Sequence, residues 1–213
     1  MTAPENAQAL EESPDEAPAP KRRRSFWAEL PGLLFTALVI AVVVKTFLMQ
    51  PFWIPSVSME PTIQVNDRVM VNKLAYQIGD VSRGDVVVFQ NPLEPEEEES
   101  IPEAVIRSVL EAVGIRTRGL DDLIKRVVAL PGETVEIRDG ELLIDGAALS
   151  ESYTDGSFLP DFGPVEVEDG AVFVMGDNRD ESFDSRRFGT IPLDDLIGRA
   201  FVIIWPFSNF GGL

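Results

Sequence analysis

Histidine and cysteine are both missing from the 213 residues. Their absence excludes a Ser-His-Asp triad, a cysteine nucleophile and any zinc site built from His and Cys ligands. A serine nucleophile in this chain has to draw its general base from Lys, Asp, Glu, Tyr or a terminus, and the Ser-Lys pair is the known variant of that kind. Basic charge is scarce as well: 18 Lys and Arg stand against 36 Asp and Glu, a net charge of −18. Outside Lys21-Arg22-Arg23-Arg24 there is no basic cluster, so nothing offers phosphate a positive surface and no nucleic-acid partner is expected. No metal and no cofactor is expected either. A chain without thiols also suits an oxidising compartment.

One long apolar run is present. Pro31 to Met49 carries a single charge, Lys45, and as a helix it spans ~28 Å, close to the ~30 Å hydrocarbon thickness of a bilayer. Phe26-Trp27 before the run and Phe52-Trp53 after it suit the two membrane interfaces. The run is longer than a signal-peptide core and no small-x-small cleavage site follows it, so an uncleaved transmembrane helix is expected over residues 26–50. Lys21 to Arg24 put its N-terminal side in the cytoplasm, and Lys45 reaches back to the outer interface. Residues 1–25, which open on a Pro-, Ala- and Glu-rich stretch with little to bury, are expected to form a disordered cytoplasmic tail. Residues 51–213 then form an extracytoplasmic domain held at the plasma membrane by a single pass through the lipid bilayer.

That domain reads as mostly β. Arg68 to Val71, Asp85 to Phe89, Ile124 to Leu130, Ala171 to Met175 and Ala200 to Trp205 are short β-branched or aromatic runs between turn residues. Val135 to Ile137 and Leu142 to Ile144 flank Asp139-Gly140, a pair at ease at positive φ and suited to a tight hairpin. The expectation is a twisted antiparallel sheet or barrel-like catalytic domain. It carries a small α-helical insertion over 91–122, where Glu96 to Glu99 precede apolar positions at Val105, Ile106, Val109, Leu110 and Val113.

Three polar segments stand out. Ser56-Val57-Ser58-Met59-Glu60-Pro61-Thr62 follows the apolar run, Lys125-Arg126-Val127-Val128-Ala129-Leu130-Pro131-Gly132 ends a strand in a Pro-Gly turn, and Gly176-Asp177-Asn178-Arg179-Asp180-Glu181-Ser182-Phe183-Asp184-Ser185-Arg186 is a polar loop. Each alone reads as an ordinary turn, strand end or loop. The last is not a calcium loop, because Arg179 and Glu181 follow Asp177 and Ser182 holds the sixth place, where an EF-hand has Gly. In this order, behind one anchor and with Arg83-Gly84-Asp85-Val86-Val87-Val88-Phe89 between the first two, the segments resemble the bacterial type I signal peptidase family. The likeness covers about residues 30 to 205.

The resemblance implies a serine endopeptidase that removes N-terminal signal sequences from exported preproteins at the outer membrane surface. Ser58 falls at the family's nucleophile position and Lys125 at that of its general base. Ser182 falls at that of a second serine that hydrogen-bonds and orients the lysine. Ser56, with the Ser58 N–H, falls at the oxyanion position, and Arg126, Asp177, Asp184 and Arg186 belong to a salt-bridged frame around the loop. A free lysine of pKa ~10.4 is neutral in only ~1 molecule in 2,500 at pH 7. Burial beside Val127 and Met59 is the available means of bringing it down. The substrate would lie extended beside Phe52 to Pro55, with Phe52, Ile54, Pro55, Met59 and Ile124 lining shallow pockets for small side chains. Ser58 follows Met49 closely enough that the site lies within ~30 Å of the membrane.

Val57 stands where the family often has Gly, its second domain is reduced here to 91–122, and one anchor replaces two. Two other readings remain: a related Ser-Lys peptidase with a dedicated or self-cleaving substrate, and an anchored β domain that only binds partners. The second would leave Ser58, Lys125 and Ser182 together by coincidence.

Overall fold

The computed structural model describes residues 26–93, 122–154 and 156–213, with the side chains of 26–28 and 45–46 left aside. The expected tail, the basic quartet, the Lys45 side chain and the helix of the acidic insertion lie outside the described residues. The chain divides into two compact units between Ala37 and Leu38.

Helix α1, Phe26–Val43, is apolar along most of its length, and a π-helical turn, Val44–Leu48, carries its course further. Leu33, Leu34, Phe35, Leu38, Val39, Ile40 and Val43 are exposed on it. Among the described residues no helix is long and apolar enough to cross a membrane. The helical course ends because Pro51 disfavours a helical residue before it, and Met49, with φ −141° and ψ 138°, already opens a strand.

The rest is mostly β, in two antiparallel sheets. Along the chain the strands are β1 Met49–Trp53, β2 Arg68–Asn72, β3 Val86–Gln90, β4 Asp122–Ala129, β5 Thr134–Arg138, β6 Glu141–Ile144, β7 Ala147–Ala148, β8 Phe162–Glu166, β9 Ala171–Met175, β10 Ile191–Pro192, β11 Leu196–Trp205 and β12 Gly211–Gly212. Short helices α2, Ala75–Ile78, and α3, Ser185–Phe188, sit between them. The large sheet runs β1-β2-β11-β3-β4-β9-β10, with β12 added to β11, and the small one runs β7-β6-β5-β8. The barrel-like closure is not formed: among the described residues no ladder joins β1 to β10. β10 is two residues long and ends in Pro192, which has no N–H to extend a ladder.

β3 reads as an unbroken apolar run because both its faces are covered. Val86 and Val88 pack with Phe52, Met59, Ile63, Val69 and Ile124, whereas Val87 and Phe89 pack with Val127, Val172, Val174 and Ile191. Burying side chains of this size stabilises by ~1.5–3 kcal/mol each. A third cluster joins Val128, Phe173 and Met175 of the large sheet to Val135, Ile137, Leu142 and Ile144 of the small one. The β5–β6 hairpin turns at Asp139 (φ 53°) and Gly140 (φ 84°), the two left-handed residues that a tight turn of this hand requires.

β4 is shared along its length. Asp122 to Arg126 pair with β3, and Arg126 to Ala129 line up with β9, so Arg126 is matched on both flanks, by Val86 and by Met175. Lys125, one residue earlier, lies where β9 has already turned away into the 176–186 loop. This departure opens the space in which the polar segments meet.

Candidate active site

Ser58 stands in the turn between β1 and β2. Ile54 N–H donates to Asp67 O and Asn66 N–H to Ile54 O, closing the neck of the turn, and Ile63 N–H donates to Met59 O across it. Met59 and Ile63 are fully buried and pin the turn to the core. From the far side Asn178 N–H donates to Ser58 O at 3.1 Å, and the Asn178 amide donates to Val57 O at 3.2 Å.

Lys125 reaches this turn from β4, and its Nζ donates to Ser58 Oγ at 2.8 Å and to Ile124 O at 2.8 Å. Lys125 is 3 % exposed and Ser58 5 %. Burial pulls the lysine down from 10.5 to about 8, against the opposing pull of the Asp184 and Asp177 carboxylates. The ammonium is costly there and the neutral amine is not. Ser56 Oγ lies 3.2 Å from Ser58 Oγ at the exposed rim. Among the described residues no backbone carbonyl accepts from the Ser58 N–H.

The 176–186 loop is held by paired charges. Arg126 grips Asp177 with Nε at 2.8 Å and Nη2 at 2.7 Å, and its Nη1 donates to Gly84 O at 2.8 Å. Arg186 grips Asp184 at 2.8 and 2.9 Å and donates to Arg179 O. Asp184 also accepts from Gly176 N–H at 3.1 Å and caps α3 by accepting from Arg186 N–H. Gly176 has no room for a side chain. A Cβ there would lie 2.3 Å from Ser182 Oγ and 2.4 Å from Ser58 O.

The expected hydrogen bond between Ser182 and Lys125 is not formed. Ser182 is buried beside Gly176, but its Oγ has no partner, because the lysine directs its N–H groups to Ser58 and Ile124. Of the residues expected to line shallow substrate pockets, Phe52, Ile54, Met59 and Ile124 are buried in one core cluster and Pro55 is exposed. A cavity of about 260 Å³ bounded by Phe47, Lys73, Tyr76, Asp194 and Ile197 touches none of the expected site residues.

Residues 27–205 match the family described as signal peptidase, peptidase S26. The chain belongs to that family. Among its relatives, a probable signal peptidase I-2 of Synechocystis is 37% identical over 87% of this chain and 76% of its own length. Signal peptidase I of Mycobacterium tuberculosis is 37% identical over 89% of this chain and 76% of its own, and that of Leptolyngbya laminosa is 38% identical over 83% and 79%. A solved signal peptidase I from Enterococcus faecalis is 29% identical over 57% of this chain, with a TM-score of 0.40.

Like the rest of the S26 family, the chain is a serine endopeptidase. In this member the polar frame extends beyond the residues singled out from sequence. Asn178 anchors the Ser58 turn, Arg179 Nε donates to Gly176 O at 2.9 Å, and Glu151 and Tyr153 meet Arg179 and Arg126. Asn178 and Arg179 stand inside a quoted segment, where their neighbours gave the signal. Glu151 and Tyr153 lie in an irregular stretch between β7 and β8 with no motif to mark them.

Proposed function

We propose that Ser58 is the nucleophile and Lys125 the general base of an endopeptidase that removes signal sequences from exported preproteins. The observation that carries this reading is the 2.8 Å contact between Lys125 Nζ and Ser58 Oγ in a buried setting, in a chain without imidazole or thiol. Ser58 Oγ attacks the scissile carbonyl while the neutral amine takes its proton; the proton passes to the leaving amine, and the acyl-enzyme is hydrolysed by a water that Lys125 deprotonates in turn. The Ser58 N–H and Ser56 Oγ bind the oxyanion. Ser182, with no other partner, is available to the amine as it rotates during turnover.

The substrate is read as an extended strand. β1 is the terminal strand of the large sheet, and an edge strand offers unpaired backbone groups to a peptide laid alongside. Membrane attachment is read from the helical course of α1 and the π turn, Phe26 to Leu48, on which Leu33 to Phe35, Leu38 to Ile40, Val43, Val44, Phe47 and Leu48 are exposed. Trp53, Trp205, Phe207 and Phe210 are exposed too. Arg68 on β2 is the cross-strand neighbour of both tryptophans, which makes one aromatic and cationic surface suited to lipid headgroups.

The test is cleavage of a preprotein by the full chain in lipid vesicles. Ser58→Ala and Lys125→Met are each expected to lose about 10⁴-fold or more in kcat while still folding. Near-normal turnover by either variant rejects the pair. Cleavage of one dedicated substrate but no generic preprotein would favour the narrow peptidase.

A further inference from the structure

The stretch between β7 and β8 belongs to the small sheet, yet two of its side chains complete the frame around the lysine. The Arg126 guanidinium directs three of its five N–H donors to Asp177 and Gly84 O, and these in-plane bonds leave its flat faces open to packing. Tyr153 covers one of them, with its ring centroid 4.1 Å from Arg126 Cζ. The Tyr153 hydroxyl donates to Glu151 Oε1 at 2.7 Å, and the same oxygen accepts from Arg179 Nη2. Arg179 in turn holds Gly176 O, the residue wedged between Ser58 O and Ser182.

We propose that Tyr153, supported by Glu151, is a positioning residue for the catalytic amine: by stacking on Arg126 it keeps that guanidinium seated on Asp177, beside Lys125. Asp177 and Asp184 are the carboxylates whose field reaches Lys125. Asp177 is offset by Arg126 and Asp184 by Arg186. Strand β3, alongside, has no charged residue, and the Ser58 turn has two, Glu60 and Asp67, the latter accepting from Gln64 N–H and the Asn209 amide at its neck. An arginine that slides off Asp177 leaves this carboxylate less compensated, which favours the ammonium and moves its titration to higher pH. Burial keeps the Tyr153 phenol protonated, with its pKa raised, so it stays a donor to Glu151. The inference rests on Lys125 being the base.

The experiment measures kcat and KM of the full chain in vesicles with a preprotein, from neutral to about pH 10. The parent rate is expected to climb through about pH 8. Tyr153→Ala is expected to move this midpoint up by about half a unit or more, with kcat at neutral pH down ~3-fold or more, KM little changed and the two curves meeting at the alkaline end. Tyr153→Phe keeps the ring over the guanidinium and is expected to recover most of the shift. If Tyr153→Ala does not fold, Tyr153→Leu, which has bulk but no π face, is read by the same criteria. An unmoved midpoint, a loss equal at every pH, or a Tyr153→Phe shift as large as that of Tyr153→Ala overturns the inference alone. A parent rate that does not climb through about pH 8, or a Lys125→Met variant that still turns over, overturns the base assignment and this inference with it.

Discussion

Lys125 costs the fold something in every state where its amine is charged. Below about pH 8 folded and unfolded chains both carry the ammonium, and the burial penalty is fully present. Between about pH 8 and 10.5 the folded chain sheds the proton first, and the penalty fades. The Lys125→Met variant is therefore expected to be more stable than the parent by up to about 3 kcal/mol at pH 7, the difference shrinking towards pH 10.5. Denaturant unfolding of the two chains across this range checks both the size and the slope. The missing imidazole and thiol narrowed the sequence reading to a serine and a lysine, the resemblance of two segments pointed to Ser58 and Lys125, and these two side chains lie 2.8 Å apart in the fold. What the lysine does with Ser182 was not legible, since nothing in a sequence says how a lysine divides its donors. Phe52, Ile54 and Met59 read the same in sequence whether they line a pocket or fill a core, and all three are buried in one cluster.

Among the elements, α3 is the shortest helix tied to the site, four residues long, and too short to hold itself together. Its cap, Asp184, is fully buried and serves Arg186, Gly176 N–H and the helix start at once. Asp184→Ala strands a guanidinium that is itself mostly buried, a change that costs ~3–5 kcal/mol. The melting temperature is expected to fall by about 10 °C, measured by thermal unfolding, and Asp184→Asn is expected to restore only part of the loss. The longer strands were legible from their β-branched runs, as was the Asp139-Gly140 hairpin. β1 was hidden because Met49, its first residue, continues the apolar run before it. β8 was hidden by Gly163-Pro164 inside it, which the structure tolerates because β8 lies at the edge of the small sheet.

At the scale of the whole molecule, a chain of net charge −18 is repelled by anionic lipid, so the membrane attachment proposed above would draw mainly on apolar and aromatic side chains. Trp205 and Phe207 pack edge to face, 5.2 Å between centroids, and both are exposed. Replacing both by Ala is expected to slow processing of a vesicle-bound preprotein by about tenfold, equivalent to ~1.4 kcal/mol, and to leave hydrolysis of a short soluble peptide unchanged. Equal losses on the two substrates would mean that these rings serve the fold and not the membrane. The two flanks of the large sheet, finally, meet on β4 at Arg126 and Val127, next to the lysine: Arg126 stands between Val86 and Met175, and Val127 exchanges bonds with Gly84 and Asp85 on one side and faces Val174 on the other. Warming cannot part the two halves of the molecule without dismantling the catalytic centre in the same event. Thermal inactivation should therefore superimpose on the calorimetric melting curve, and the amides around 125–127 should be among the last in the protein to take up deuterium.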